Sequence, residues 1–126
     1  MFGPLGATLA PYVQSSRTLS KWITPVAHWY ANASGWRKYG FKYDDLLVEE
    51  NPQVQRALGR LTPAEKFDRA YRLKRASQQS VLHAPLPQSQ WTPESEDVRY
   101  LKPPVVDVMK EEAERFKWDN AIVERK

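Results

Sequence analysis

A chain of 126 residues fits one compact domain, or a core with extended arms, and is too short for two ordinary domains. The absence of cysteine excludes disulfides, thiolate metal sites and cysteine nucleophiles, and the two histidines, His28 and His83, stand at no metal-ligand spacing. A net charge of +4 suits an acidic partner or an anionic surface without by itself signalling nucleic acid.

The charge is unevenly spread. Residues 1–43 carry five basic groups and no acid, whereas residues 91–126 carry nine acids against seven bases. The acid-free start, with Ser15, Ser16, Arg17 and Ser20, has the composition of a mitochondrial targeting segment. No uncharged apolar run approaches the ~18 residues of a membrane span. Five Trp, six Tyr and four Phe beside a hydrophobic content of 41% are enough aromatics to serve both a core and a partner surface.

Taken in chain order, the elements predict an all-α protein. Four times a cap-type residue precedes proline: Thr24-Pro25, Asn51-Pro52, Thr62-Pro63 and Thr92-Pro93. The side-chain oxygen of the first residue can accept an orphan amide at a helix start, and proline gives up only an amide that had no partner. A first helix is predicted over 24–34, stopped by Gly35, with a further helical turn over 15–23. Its Trp22, Val26, Trp29, Tyr30 and Ala33 share one side. A loop alternating aromatic and basic residues follows, and Asp44 or Asp45 then caps a short turn that buries Leu46, Leu47 and Val48. A helix runs from Asn51 to about Leu61. The capping box Thr62-x-x-Glu65 opens another to about Leu82, whose apolar side is Phe67, Ala70, Tyr71, Leu73, Ala76 and Val81. Prolines 85, 87, 93, 103 and 104 forbid a continuous helix beyond it. A final helix over 104–119 turns Val105, Val108, Met109, Glu112 and Phe116 inward. The expected architecture is a small irregular helical domain: an extended N-terminal arm (1–23), a helical core (24–82), a proline-rich connector (83–103), and a C-terminal helix and tail (104–126).

Little here carries chemistry. The chain has no nucleophile elbow and no phosphate-cradling glycine loop, so no catalytic residue is assigned. Asp44, Asp45, Glu49 and Glu50 lack the alternate ligand spacing and central glycine of a calcium loop, so no metal site is assigned either. Helix capping accounts for these acids, with Asp45 and Glu49 sharing a face as a mildly repulsive pair. Arg69, Arg72, Lys74 and Arg75 suit a solvated helical face, or a phosphate-binding ridge in a small basic RNA-binding or ribosomal protein. The aromatic side of the first helix could be core, or could sit against a membrane protein or lipid headgroups.

Four segments, "GFKYDDLLVEENPQVQRALGRL", "FDRAYRLKRA", "LPQSQW" and "EDVRYLKP", follow one another between residues 40 and 103. Together they resemble the fungal form of a family of accessory subunits: subunit 7, the cytochrome b-binding or ubiquinone-binding subunit of mitochondrial ubiquinol–cytochrome c reductase (respiratory complex III). The chain departs from the family pattern at Gly59, Thr62 and Pro104. The resemblance implies a non-catalytic, all-helical subunit, peripheral on the matrix side of the inner membrane, with no nucleic acid as partner. Its implied partners are cytochrome b, the core subunits and a neighbouring small subunit. It implies no cofactor on this chain, haem and quinone belonging to cytochrome b. Taken with the residues above, it makes Trp22, Trp29, Tyr30, Tyr39, Phe41, Tyr43, Asp44, Asp45, Arg69 and Arg72 the partner-contacting set. Glu50, with Glu49, is placed by it near a proton-uptake route toward the quinone-reduction site.

Overall fold

The computed structural model describes residues 3–121 and is all-α across them, with no strand among the described residues. The helices are α1 (Ala10–Ser15), α2 (Arg17–Ser34), α3 (Pro52–Arg60), α4 (Pro63–Val81) and α5 (Lys102–Asp119). Residues 1–2 of the expected arm and 122–126 of the expected tail lie outside the described residues.

The four proline steps divide by context. Asn51 accepts from the amide of Gln53 at 2.9 Å and opens α3. Thr62 and Glu65 cap each other at the start of α4, the Thr62 amide donating to Glu65 Oε2 at 2.9 Å. Thr92-Pro93 leads only into a 3₁₀ turn over Glu94–Glu96. Thr24-Pro25 lies inside α2, so the expected helix start at Thr24, and with it the boundary between arm and core, falls within one continuous helix. The reason is exposure. Proline removes one helical hydrogen bond, but α2 buries no residue, so water can satisfy the carbonyl left without a donor. Gly35 ends α2 with φ 80°, as its position predicts. The last helix begins at Lys102, two residues early, because Pro103 and Pro104 occupy a first turn whose amides need no helical acceptor.

An apolar core lies between α3 and α5, where Val54, Ala57 and Leu61 meet Leu101, Val105 and Val108. Leu5, Leu47, Leu58 and Met109 pack around it. The inner stripe expected of α5 holds at Val105, Val108, Met109 and Glu112, but Phe116 is exposed. With 9 residues against 18, α3 is half the length of α5 and leaves its second half uncovered.

Elsewhere the expected faces hold at Leu73 and Ala76 and are otherwise largely reversed. On α4, Arg69 and Ala76 are buried and Arg72, Leu73 and Arg75 partly so, while Phe67, Ala70, Tyr71 and Val81 face outward. In the segment after Tyr43, Asp44 and Asp45 are buried, Leu47 is partly covered, and Leu46 and Val48 are exposed. Both reversals have one cause: the arginine side of α4 closes over the 3₁₀ turn Tyr43–Leu46, where the Asp45 carboxylate points at the arginines and that of Asp44 points at Arg99 and the start of α5. The connector is not simply extended either. It forms 3₁₀ turns at Gln88–Gln90 and Glu94–Glu96 and is pinned to the loop after α2, the Leu86 amide donating to Lys38 O and the Thr92 amide to Arg37 O, each at 3.1 Å.

Candidate functional site

Asp44 is completely buried, and both its oxygens are engaged by the segment that opens α5. Oδ1 accepts from Arg99 Nε, and Oδ2 accepts from the amides of Leu101 at 2.8 Å and Lys102 at 3.1 Å. Leu101, at the cap position, supplies no side-chain acceptor, so a carboxylate from 57 positions upstream caps this helix. Asp45 faces the other way. Its Oδ2 accepts from Arg72 Nε at 2.7 Å and from the Lys42 amide at 2.9 Å, and its Oδ1 from Arg72 Nη2 at 2.9 Å, Arg69 Nη1 at 3.1 Å and the Tyr100 hydroxyl at 2.6 Å. The two Arg72 bonds form a bidentate fork on one carboxylate. Arg69 completes the cluster by donating to Tyr100 Oη at 2.9 Å and to Glu49 Oε1 at 2.5 Å.

Burial works against the charges of Asp45, Arg69 and Arg72, and pairing outweighs it. Asp45 is held below the usual carboxylate range despite desolvation, because Arg72, Tyr100 and the Lys42 amide donate to its ionised form. Arg69 and Arg72 are likewise raised despite desolvation, by Glu49 and Tyr100 for the first and by Asp45 for the second. Burial and the neighbouring Asp45 carboxylate push the Tyr100 hydroxyl up to about 12. All four oxygens of Asp44 and Asp45 accept at least one hydrogen bond from donors of this chain. Among the described residues no group of three or more His, Asp or Glu is placed to hold a metal ion.

A second, more exposed node fixes the base of α2. Asp97 accepts from the Tyr43 amide at 2.7 Å, Arg37 Nε at 3.0 Å and Trp36 Nε1 at 3.1 Å. Burial would raise its carboxyl, but these three donors hold it below the usual range. Tyr43 stands edge-on to Trp36 at 5.5 Å, with the Arg99 guanidinium 4.3 Å from the Tyr43 ring centre. His28 on α2 approaches Glu94 of the connector at 2.5 Å.

The residues singled out from the sequence thus fall into separate places. Asp44, Asp45 and Arg69 lie inside the chain and Arg72 is mostly covered, all engaged with one another or with α5 rather than presented outward. Tyr39 and Phe41 are partly covered and, with Leu73 and Ala76, line an apolar groove of about 450 Å³. Trp22, Trp29 and Tyr30 stand out from α2, exposed by 79%, 69% and 67%. Glu49 is tied to Arg69, whereas Glu50 is exposed and makes no ion pair or side-chain hydrogen bond among the described residues. Arg99, Tyr100 and Asp97 were not singled out individually, although the cluster depends on them. The signal for them was the charged "EDVRYLKP" segment at the end of a connector otherwise rich in proline.

Fold and cluster define a class: a small all-helical protein that buries a cluster of ion pairs, leaves most of its large aromatics exposed, and has no helix among the described residues long and apolar enough to cross a membrane. The model of the ubiquinol–cytochrome c reductase complex 14 kD subunit family matches residues 17–116, and the chain belongs to that family. It is similar to cytochrome b-c1 complex subunit 7 of Neurospora crassa, 46% identical over 105 residues, covering 83% of this chain and 85% of the relative. The subunit 7 of Saccharomyces cerevisiae is 40% identical over 119 residues, 94% of each chain. The human subunit 7 is 36% identical over 105 residues, 83% of this chain and 94% of the relative. The chain is therefore an accessory subunit of the mitochondrial respiratory complex III, and the segments that carried the resemblance are the ones that meet at Asp44 and Asp45 or pin the connector to the loop after α2.

Proposed function

We propose that the chain is a non-catalytic subunit seated peripherally on the matrix side of the inner membrane, where it binds cytochrome b and supports assembly and stability of the complex. The core subunits and a neighbouring small subunit complete its surroundings, and haem and quinone stay with cytochrome b. One observation carries this reading. Helix α2 buries nothing, yet exposes Trp22, Val26, Trp29 and Tyr30 together, an apolar surface of the kind a partner covers. The ionic cluster holds the rest of the chain as a rigid base from which α2 projects. The RNA-binding alternative is disfavoured because Arg69 and Arg72 are committed to Asp45.

The test is co-purification. A tagged Trp22→Ser/Trp29→Ser chain should keep its helical circular dichroism and bring down much less cytochrome b than the unmodified chain; equal recovery would remove the reading. Deleting residues 1–20 should likewise lower assembled cytochrome b.

Proton uptake is the finer part of the proposal, and Glu50 is its candidate because it is exposed and unpaired among the described residues, whereas Glu49 is paired with Arg69. Quinol turnover against pH in the assembled Glu50→Gln complex should show a displaced profile. An unchanged profile would leave Glu50 as a residue of the turn before α3 and nothing more.

A further inference from the structure

A hollow of about 620 Å³ lies between α4, residues 40–42 and the connector. Lys42, Arg72 and Arg75 line it from the first two, and Ser89, Thr92 and Glu96 from the connector. Arg72 is neutralised by Asp45. Arg75 and Lys42 have no carboxylate partner among the described residues, so two uncompensated cations face the single carboxylate of Glu96.

Arg75 is the unusual member. Among the described residues its Nε is buried with no hydrogen-bond partner, its Nη2 reaches the Gly40 carbonyl at 3.3 Å, and its guanidinium lies 5.5 Å from the centre of the Tyr71 ring. A buried donor left unmade is unfavourable, and such groups call for a specific explanation. At Gly40 the φ of 75° favours glycine, and an added Cβ would stand 2.0 Å from Arg75 Nη2 and displace the end of that side chain. The hydroxyls of Ser89 and Thr92 have no acceptor or donor among the described residues.

We infer that this hollow binds a phosphate group. A tetrahedral phosphate can accept from guanidinium, ammonium and hydroxyl donors together, which a flat carboxylate does less completely. The volume exceeds that of phosphate alone and suits a monoester or diester, supplied either by a soluble phosphate ester or by an anionic lipid headgroup. Every lining residue of the site comes from this chain.

The experiment titrates the full chain with inorganic phosphate, by calorimetry and phosphorus NMR. A parallel arm uses vesicles of phosphatidylglycerol in phosphatidylcholine against phosphatidylcholine alone. Saturable phosphate binding that Arg75→Gln weakens about tenfold or more is the expected result. Arg75-dependent capture by the anionic vesicles, without binding of free phosphate, assigns the same site to a lipid headgroup. Glu96→Gln should tighten binding about threefold by removing the opposing charge, a gain that loss of folding cannot mimic. Ser89→Asp, at an exposed position, should abolish binding with unchanged helical signal. The inference is overturned by no binding in either arm, by binding indifferent to Arg75→Gln, by no tightening in Glu96→Gln, or by preference for a polyglutamate peptide over phosphate.

Discussion

Between α3 and α5 the chain buries Val54, Ala57, Leu61, Leu101, Val105 and Val108, aliphatic side chains that need only be close to one another. Between α4 and the Tyr43–Leu46 turn it buries Asp44, Asp45 and Arg69, which need their partners at particular angles and distances. The first seam supplies stability through area removed from water and tolerates small shifts. The second gains less net energy, because desolvation offsets much of the attraction, but it admits one arrangement only. The chain uses the apolar seam to hold two helices and the ionic seam to fix where three separate segments meet.

The largest expected effect comes from breaking the ionic seam on one side. Asp45→Ala leaves Arg72 buried without its carboxylate and Arg69 with Glu49 alone, and should cost about 3–5 kcal/mol in urea unfolding of the full chain. A loss below about 1 kcal/mol would mean that the arginines swing out to water, as exposed pairs do. Leu101→Ala, in the apolar seam, should cost about 3 kcal/mol, with no change in pH dependence.

A pH scan separates the seams further. Asp45 and Asp97 are lowered in the folded chain, so their contribution is present above the unfolded carboxylate value of about 4 and is lost as pH falls through their folded values. Tyr100 is raised to about 12, so its contribution is intact below the unfolded value of about 10 and is lost as pH rises from there to 12. In Asp45→Ala both limbs should flatten; in Leu101→Ala both should persist. Thr62→Ala, which removes the α4 cap, should cost about 1 kcal/mol. Arg60→Gln, at the solvent-exposed pair with Glu111, should leave the unfolding midpoint unmoved.

Helix existence was legible in the residues themselves. Asn51-Pro52 and Thr62-Pro63-x-Glu65 located α3 and α4 because capping is chemistry between neighbours. Thr24-Pro25 presents the same local signal inside α2, and nothing nearby reveals that the helix is exposed enough to run through a proline. Which way the helices face was legible only for α5. Apolar spacing on α4 points to Phe67, Tyr71 and Val81, and the residues that overrule it lie far away: Asp45 is 24 positions from Arg69 and 55 from Tyr100. Arginine at those positions reads as solvent-facing until its carboxylates are known to be buried. The family resemblance found the correct segments without showing that three of them converge on one cluster.

The cap that Asp44 places on α5 also makes two distant stretches depend on each other. Among the described residues its carboxylate finds its donors only in Arg99, Leu101 and Lys102. Residues 43–46 can form their turn from local contacts, but sealing that turn inside the molecule requires the stretch 99–102 to be docked against it, because closure without it would leave a buried carboxylate with no donor.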